Sequence, residues 1–282
     1  MDIIQALTDE LQVQRWQVEA AVKLIDEGNT IPFISRYRKE ATGSLNDEVL
    51  RNLHERLLYL RNLEDKKAQV LSSIEEQGKL TEELKNAILA AQTLVVVEDL
   101  YRPYRPKRRT RATVAKEKGL EPLANIILLQ MTEQPLEIEA EPFVSEEKGV
   151  ADVKEALAGA QDILAEAISD GADYRIYIRK MTVKSGTLAS SAKKEGEESV
   201  YEMYYDFEEP VSKIAGHRVL ALNRGEKEKI LTVKINAPEE EILKWLKRQV
   251  IKKENPNTSP ILEAAVEDSY KRLIAPAIER EI

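Results

Sequence analysis

Residues 101–116 (YRPYRPKRRTRATVAK) carry the side chains best suited to chemistry with phosphates. Arg102, Arg105, Lys107, Arg108, Arg109, Arg111 and Lys116 are cations with no acid among them, and Tyr101 and Tyr104 interleave. Lysine and arginine neutralise phosphates and release counterions. Tyrosine rings stack on bases. Pro103 and Pro106 exclude a regular helix and are expected to hold the segment extended. Three readings stand side by side: contact with phosphates, pairing of the same cations with the acidic stretch at 131–155, and docking onto a protein surface.

Two smaller clusters are secondary candidates. In Ser35-Arg36-Tyr37-Arg38-Lys39-Glu40, the side chains of Arg36, Arg38 and Lys39 lie on a short helix opened by Pro32. Arg36 and Glu40 are four apart and can pair locally. Such a helix can be the reading helix of a helix-turn-helix unit. The preferred reading is structural, because the cluster is small and mixed in sign. In His217–Glu226, Arg224 can meet a phosphate, but it is expected to anchor to an acid of the long-helix region. Gly225 is expected to form a turn after a helix.

Catalytic chemistry finds little to work with. The histidines, His54 and His217, are far apart, and no acid has EF-hand or HExxH spacing. Asp99, Asp152 and Asp170 are separate in sequence, and nothing in their spacing brings them together. No GxxxxGK[ST], GxGxxG or GxSxG motif occurs. The absence of cysteine excludes disulfides, thiol catalysis and thiolate metal sites. The expectation is therefore no catalytic residue, metal, cofactor or small-molecule substrate.

The elements that must position these groups are mostly helical. The chain has 282 residues, 42 Lys+Arg against 50 Asp+Glu, a net charge of -8 and 43% hydrophobic residues. That length allows about two domains, and the apolar content argues against disorder. An acidic chain binds nucleic acid only through a local patch. No basic, apolar leader and no membrane-length apolar run is present. Together with the lack of cysteine this suggests the cytoplasm.

Apolar residues recur at helical spacing through Ile3–Leu11 and Trp16–Ile25, with Gly28 as a C-cap. Asn46 caps a long helix to Gly78 along Val49, Leu53, Leu57, Leu60, Val70, Leu71 and Ile74. Thr81 starts a helix that folds back on it as a hairpin. Further helices are expected at 113–119, from Pro122, at 150–169, 172–184, 200–206, 217–224, 238–252 and from 260 onward. Residues 131–149 read as an exposed acidic connection. Residues 185–199 (SGTLASSAKKEGEES) lack an apolar period and read as a flexible loop, open to trypsin at Lys193 and Lys194. Residues 230–235 alternate and read as a short strand.

Five long segments in order also carry a resemblance: 30–48, 98–124, 156–166, 217–226 and 265–281. Among them are TIPFISRYRKEATGSLNDE and EDLYRPYRPKRRTRATVAKEKGLEPLA. Together they resemble the N-terminal region of the Tex family, bacterial transcription accessory proteins whose architecture eukaryotic transcription elongation factors share distantly. The resemblance implies that an RNase H-like domain, helix-hairpin-helix motifs and an S1-type barrel would follow. The chain would then be truncated before them, and the family's strongest nucleic-acid-binding module would be that missing barrel.

The fold expected is mainly α, with a long helical hairpin, helix-turn-helix-like elements and at most a small β element. One region, 1–282, is expected to form two lobes meeting around 119–150. The function expected is a non-catalytic scaffold with weak, sequence-tolerant binding of RNA or DNA through the strip. The alternative is a module docking onto transcription or translation machinery.

Overall fold

The computed structural model describes every residue except Glu195 and Glu197. It is mainly α-helical and divides into two units, Met1–Tyr104 and Arg105–Ile282.

Unit 1 is built on one long helix. Its helices are α1 (Ile3–Leu11), α2 (Arg15–Asp26), α3 (Ile31–Tyr37), α4 (Lys39–Thr42), α5 (Asp47–Glu76), α6 (Glu82–Ala90) and α7 (Leu94–Tyr101). α5 starts where Asn46 accepts the Val49 N–H at 2.8 Å. It has 30 residues, so its axis is about 45 Å long. Leu50, Leu53, Leu57, Leu60, Leu63, Val70 and Ile74 are buried along one stripe. Lys67 interrupts that stripe, with its side chain only 2% exposed. Its Nζ donates to the Leu89 carbonyl at 2.8 Å and sits 3.2 Å from Glu64, so the buried charge is compensated. α6 runs back along α5 to place Leu89 there. α7 turns again, so that the Leu94 N–H meets the Tyr59 hydroxyl at 3.0 Å and Tyr101 meets Ser73 at 2.9 Å. This is the hairpin that the sequence predicts, extended by a third helix.

Unit 2 holds α8 (Arg111–Glu117), α9 (Glu121–Leu129), α10 (Leu136–Ala140), α11 (Val153–Ser169), α12 (Ala172–Ser185), α13 (Gly216–Lys227), α14 (Glu239–Val250), α15 (Ser259–Asp268) and α16 (Ala275–Glu281). A π-helical stretch, Ser269–Ile274, joins the last two. The strands are β1 (Thr187–Ala192), β2 (Asp206–Pro210) and β3 (Leu231–Asn236). α11 is the central helix. Its Ala156, Ala160, Ile163, Leu164 and Ile168 are buried against Ala112, Ala115 and Leu120. Small residues make that approach possible: a Cβ at Gly159 would collide with the Leu120 side chain.

Five expectations differ from the structure. Residues 185–199 are not a loop throughout, because β1 occupies 187–192 and is the middle strand, antiparallel to both β2 and β3. The part of that loop at Glu195 and Glu197 lies outside the described residues. Residues 200–206 form only a single 3-10 turn, Glu202–Tyr204, before β2 begins. Residues 131–149 are not a bare connection: Leu136 and Ala140 of α10 are buried in the core. Gly225 lies inside α13, not after it, and a Cβ there would come within 2.6 Å of Leu231 Cδ1. It therefore serves the close approach of α13 to β3. The expected lobe boundary at 119–150 falls within unit 2, where α9 and α10 contribute to the same core as α11.

Candidate nucleic-acid interface

The division between the units cuts the basic strip between Tyr104 and Arg105. Its first part belongs to unit 1 and is turned inward. α7 continues through Tyr101, and the Tyr104 N–H then closes a turn on the Tyr101 carbonyl at 2.9 Å. The segment is therefore folded at Pro103, not extended. Tyr101 and Tyr104 both pack against the unit 1 core. Tyr101 also holds the Ser73 hydroxyl and has Lys66 Nζ 5.9 Å from its ring centre. The Tyr104 carbonyl accepts from Gln77 Nε2 at 2.9 Å. Arg102 is half-buried, and its Nε is enclosed without a hydrogen-bond partner. These residues are structural members of unit 1, and their rings are not open platforms.

The second part, in unit 2, separates its cations by partner. Lys107 Nζ pairs with Asp170 and lies 3.1 Å from Glu166. Glu166 and Asp170 are four apart on α11, with Asp162 one turn earlier, so the three acids share a face. Arg272 donates to Asp268 at 2.9 and 2.6 Å and reaches Asp162 at 3.9 Å. Burial pushes the Asp162 carboxyl above its ordinary range, while the positive charges of Arg272 and Arg111 pull the other way. The Arg272 hydrogen bond holds the Asp268 carboxyl below its ordinary range. Intramolecular pairing is thus real for Lys107, but its acids come from 166–170, not from 131–155. Lys118 does find an acid in that stretch, Glu155 at 2.8 Å.

Further along the strip, Arg108 and Arg109 are exposed, and Arg111 is exposed with its charge acting on Asp162 and Asp268. Among the described residues Arg109 pairs only with Glu117, at 3.5 Å, and keeps a side chain 74% exposed. Arg108 has no ion pair among the described residues. Arg111 opens α8, whose N-cap Thr110 accepts the Thr113 N–H at 3.1 Å. Arg108 and Arg109 thus place adjacent guanidinium groups on the surface.

The secondary candidates also divide. Arg36, Arg38 and Lys39 are exposed. The helix breaks at Arg38, where φ is -128°, so Arg36 and Glu40 lie on different helices and form no ion pair among the described residues. Arg38 lies over the Phe33 ring at 5.1 Å, and Phe33 lies 5.3 Å from Tyr37, which is 66% exposed. Arg38 also donates from Nη1 to the Tyr37 carbonyl at 3.0 Å, as the structural reading expects of these arginines, and Ile34 carries the helix into the core. Arg224 is exposed and forms no ion pair among the described residues, so the expected anchor is absent. In that segment it is Arg218 that pairs, with Glu209. Among the described residues no group of three His, Asp or Glu is placed to hold a metal. Asp152 instead caps α11, accepting the Glu155 N–H at 2.7 Å. No helix of the described residues is long and apolar enough to cross a membrane.

Residues 1–75 match the Tex-like protein N-terminal domain, and residues 131–282 match the Tex central region-like model. The strip lies between the two matched segments. An uncharacterised protein, YdcI of Bacillus subtilis (strain 168), is 49% identical over 99% of this chain and 39% of its own length. The transcriptional accessory protein Tex of Neisseria gonorrhoeae is 44% identical over 83% of this chain and 31% of its own. The S1 RNA-binding domain-containing protein 1 of Homo sapiens is 31% identical over 99% of this chain and 29% of its own. The chain thus spans well under half the length of these relatives. Because the central-region match alone, 131–282, covers more than half of its residues, the chain belongs to the Tex family.

Proposed function

We propose that this chain is a non-catalytic helical scaffold of a cytoplasmic transcription accessory protein, and that it touches RNA or DNA weakly through the outer part of the basic strip. The observation that carries the proposal is the exposure of Arg108 and Arg109, when Lys107 in the same run is taken by acids. The relatives' names support the same direction: one is a transcriptional accessory protein, another an S1 RNA-binding domain protein. The scaffold role would be to position the RNase H-like and S1-type modules that the resemblance implies.

The net charge of -8 opposes binding. Affinity should fall at about 10–100 μM, the range of non-specific phosphate contact, and vanish at moderate salt. Anisotropy of a labelled oligonucleotide, titrated at several salt concentrations, tests this. The double variant Arg108→Ala/Arg109→Ala should lose most of the binding and flatten the salt slope by about two. Retention of both affinity and slope would remove the strip from the interface.

A second reading, docking onto a transcription or translation complex, draws on the α2–α4 corner. There Trp16 is 53% and Tyr37 66% exposed, beside Arg36, Arg38 and Lys39. Salt separates the readings, because apolar docking persists where phosphate contact is screened.

A further inference from the structure

A cavity of about 290 Å³ lies in unit 2 where α12, β3 and α16 meet. That size is near the lower end of small-molecule sites, roughly 300 Å³. Ile178, Ile235, Ala275 and Ile278 form its apolar wall. The π-helical stretch Ser269–Ile274 contributes Tyr270 and Lys271 to the lining, and departures of this kind from the α-helix are frequent at functional sites.

Tyr270 is the buried end of the cavity, only 3% exposed. Its hydroxyl has no hydrogen-bond partner among the described residues, and it is not sealed in the core as the Ser269 and Thr258 hydroxyls are. The access it keeps is through the cavity. Burial, with Glu239 nearby, pushes this hydroxyl up to about 12, so it stays neutral. A buried polar group without a partner is costly, and here the partner has room to come from outside.

The other polar groups of the lining have already spent their protons. Thr182 donates its hydroxyl to the Ile178 carbonyl at 2.8 Å. Asn236 Nδ2 donates to Glu208 at 2.9 Å. Lys271 Nζ lies 3.3 Å from Glu239. The Ile235 N–H is taken by Glu279 at 3.0 Å. What the cavity offers is therefore acceptors: lone pairs on Thr182 and Tyr270, and the carboxylates of Glu239 and Glu279. Two acids against one lysine leave the lining net negative. Lys180 and Lys184 of α12 stand two residues from Thr182 and so lie off the face that reaches the cavity.

We infer that this cavity is a binding site for a protonated amine on a short aliphatic stem. The ammonium supplies the protons that Tyr270, Glu239 and Glu279 accept, and the stem lies on Ile178, Ile235 and Ile278. An anion of the same shape meets two carboxylates and finds no spare cation. A free diamine and the lysine side chain of another chain share this chemistry. The inference is independent of the reading of the basic strip.

Saturation-transfer NMR with butylammonium and with butyrate tests the charge: the first should bind and the second should not. Tyr270→Phe should weaken butylammonium binding about tenfold. It should leave the urea midpoint unchanged or higher, because the hydroxyl gives up no bond within the protein. Glu239→Gln combined with Glu279→Gln, checked by circular dichroism, should abolish binding. Putrescine and Nα-acetyl-lysine amide, titrated in the same way, separate the sources: the tighter of the two assigns the site to a free amine or to a side chain. Failure of all three amines to bind, equal binding of butyrate, or undiminished binding by Tyr270→Phe would overturn the site. So would a lower urea midpoint for Tyr270→Phe, which would show the hydroxyl held within the fold.

Discussion

Tyr101-Arg102-Pro103 and Tyr104-Arg105-Pro106 repeat one tripeptide, yet the side chains on the two sides of the unit division behave differently. Up to Tyr104 the chain is still tied to α5 and α7. Its rings join the unit 1 core, and the Arg102 Nε is enclosed. Past Arg105 the chain lies over an acid-bearing face of α11, which takes Lys107 and leaves Arg108 and Arg109 outside. The same residue types are struts where an apolar core or a carboxylate pair is within reach, and ligands-in-waiting where neither is. Composition alone therefore cannot assign a cation to nucleic acid; its nearest acid decides.

The largest test of that contrast is Tyr101→Ala. It should destabilise the protein by about 2–3 kcal/mol, as expected for removing a partly buried ring from a core. Tyr101→Phe should cost about 1 kcal/mol, the value of the hydrogen bond to Ser73. Urea unfolding measures both. If Tyr101→Ala left stability intact and reduced oligonucleotide binding, the inner part of the strip would be an interface after all.

Lys107→Ala comes next. Its side chain is 25% exposed, and its partners Glu166 and Asp170 are 16% and 14% exposed. Removing it leaves two acids facing each other, at a cost of about 1–2 kcal/mol, reduced at high salt. Oligonucleotide binding should change little. The opposite result, unchanged stability with lost binding, would move Lys107 to the side of Arg108 and Arg109.

The smallest effects are those of pH. In unit 1, hydrogen bonds from Arg61 hold the Asp26 carboxyl below its ordinary value of 3.8. Such a group stabilises fully above the unfolded value and loses its contribution as pH falls through the lower folded value. In unit 2, burial raises the Asp162 carboxyl above 3.8. Its contribution has the opposite sign: it is complete below the unfolded value and lost as pH rises through the raised folded one. Asp26→Asn should therefore lower the urea midpoint at about pH 6, by an amount that shrinks as pH falls below 3.8. Asp162→Asn should raise the midpoint at about pH 6 relative to about pH 2. Both shifts should stay small, because Asp26 is 47% exposed and solvent screens it. A shared sign for the two variants would contradict the contrast between the acids of the two units.

Much of the helical frame was legible because each signal acts within a turn or two. Asn46 and Thr81 accept N–H groups three residues on. Gly43 ends α4 at φ 63°, a backbone conformation that costs glycine little. The stripe from Leu53 to Ile74 repeats at the helical period. The strand at 230–235 was also legible, from its alternating β-branched residues. β1 was not, because Thr187–Ala192 has no apolar period and only one large apolar side chain, Leu188. It exists because β2 and β3 supply hydrogen bonds on both edges, and Ser190 is buried with its hydroxyl on the Tyr204 carbonyl at 2.6 Å.

The site followed the same rule. The sequence by itself determined that positive charge is concentrated at 101–116, that two prolines break the helix there, and that the chain resembles one family along its length. Tertiary structure decided which of those charges are available. Lys107 meets acids 59 and 63 residues away, and Tyr177 meets an indole on a different helix. A helix satisfies its backbone within four residues and so announces itself locally. A strand's pairing, a cation's counterion and a ring's stacking partner come from distant parts of the chain, and only the folded packing brings them into contact.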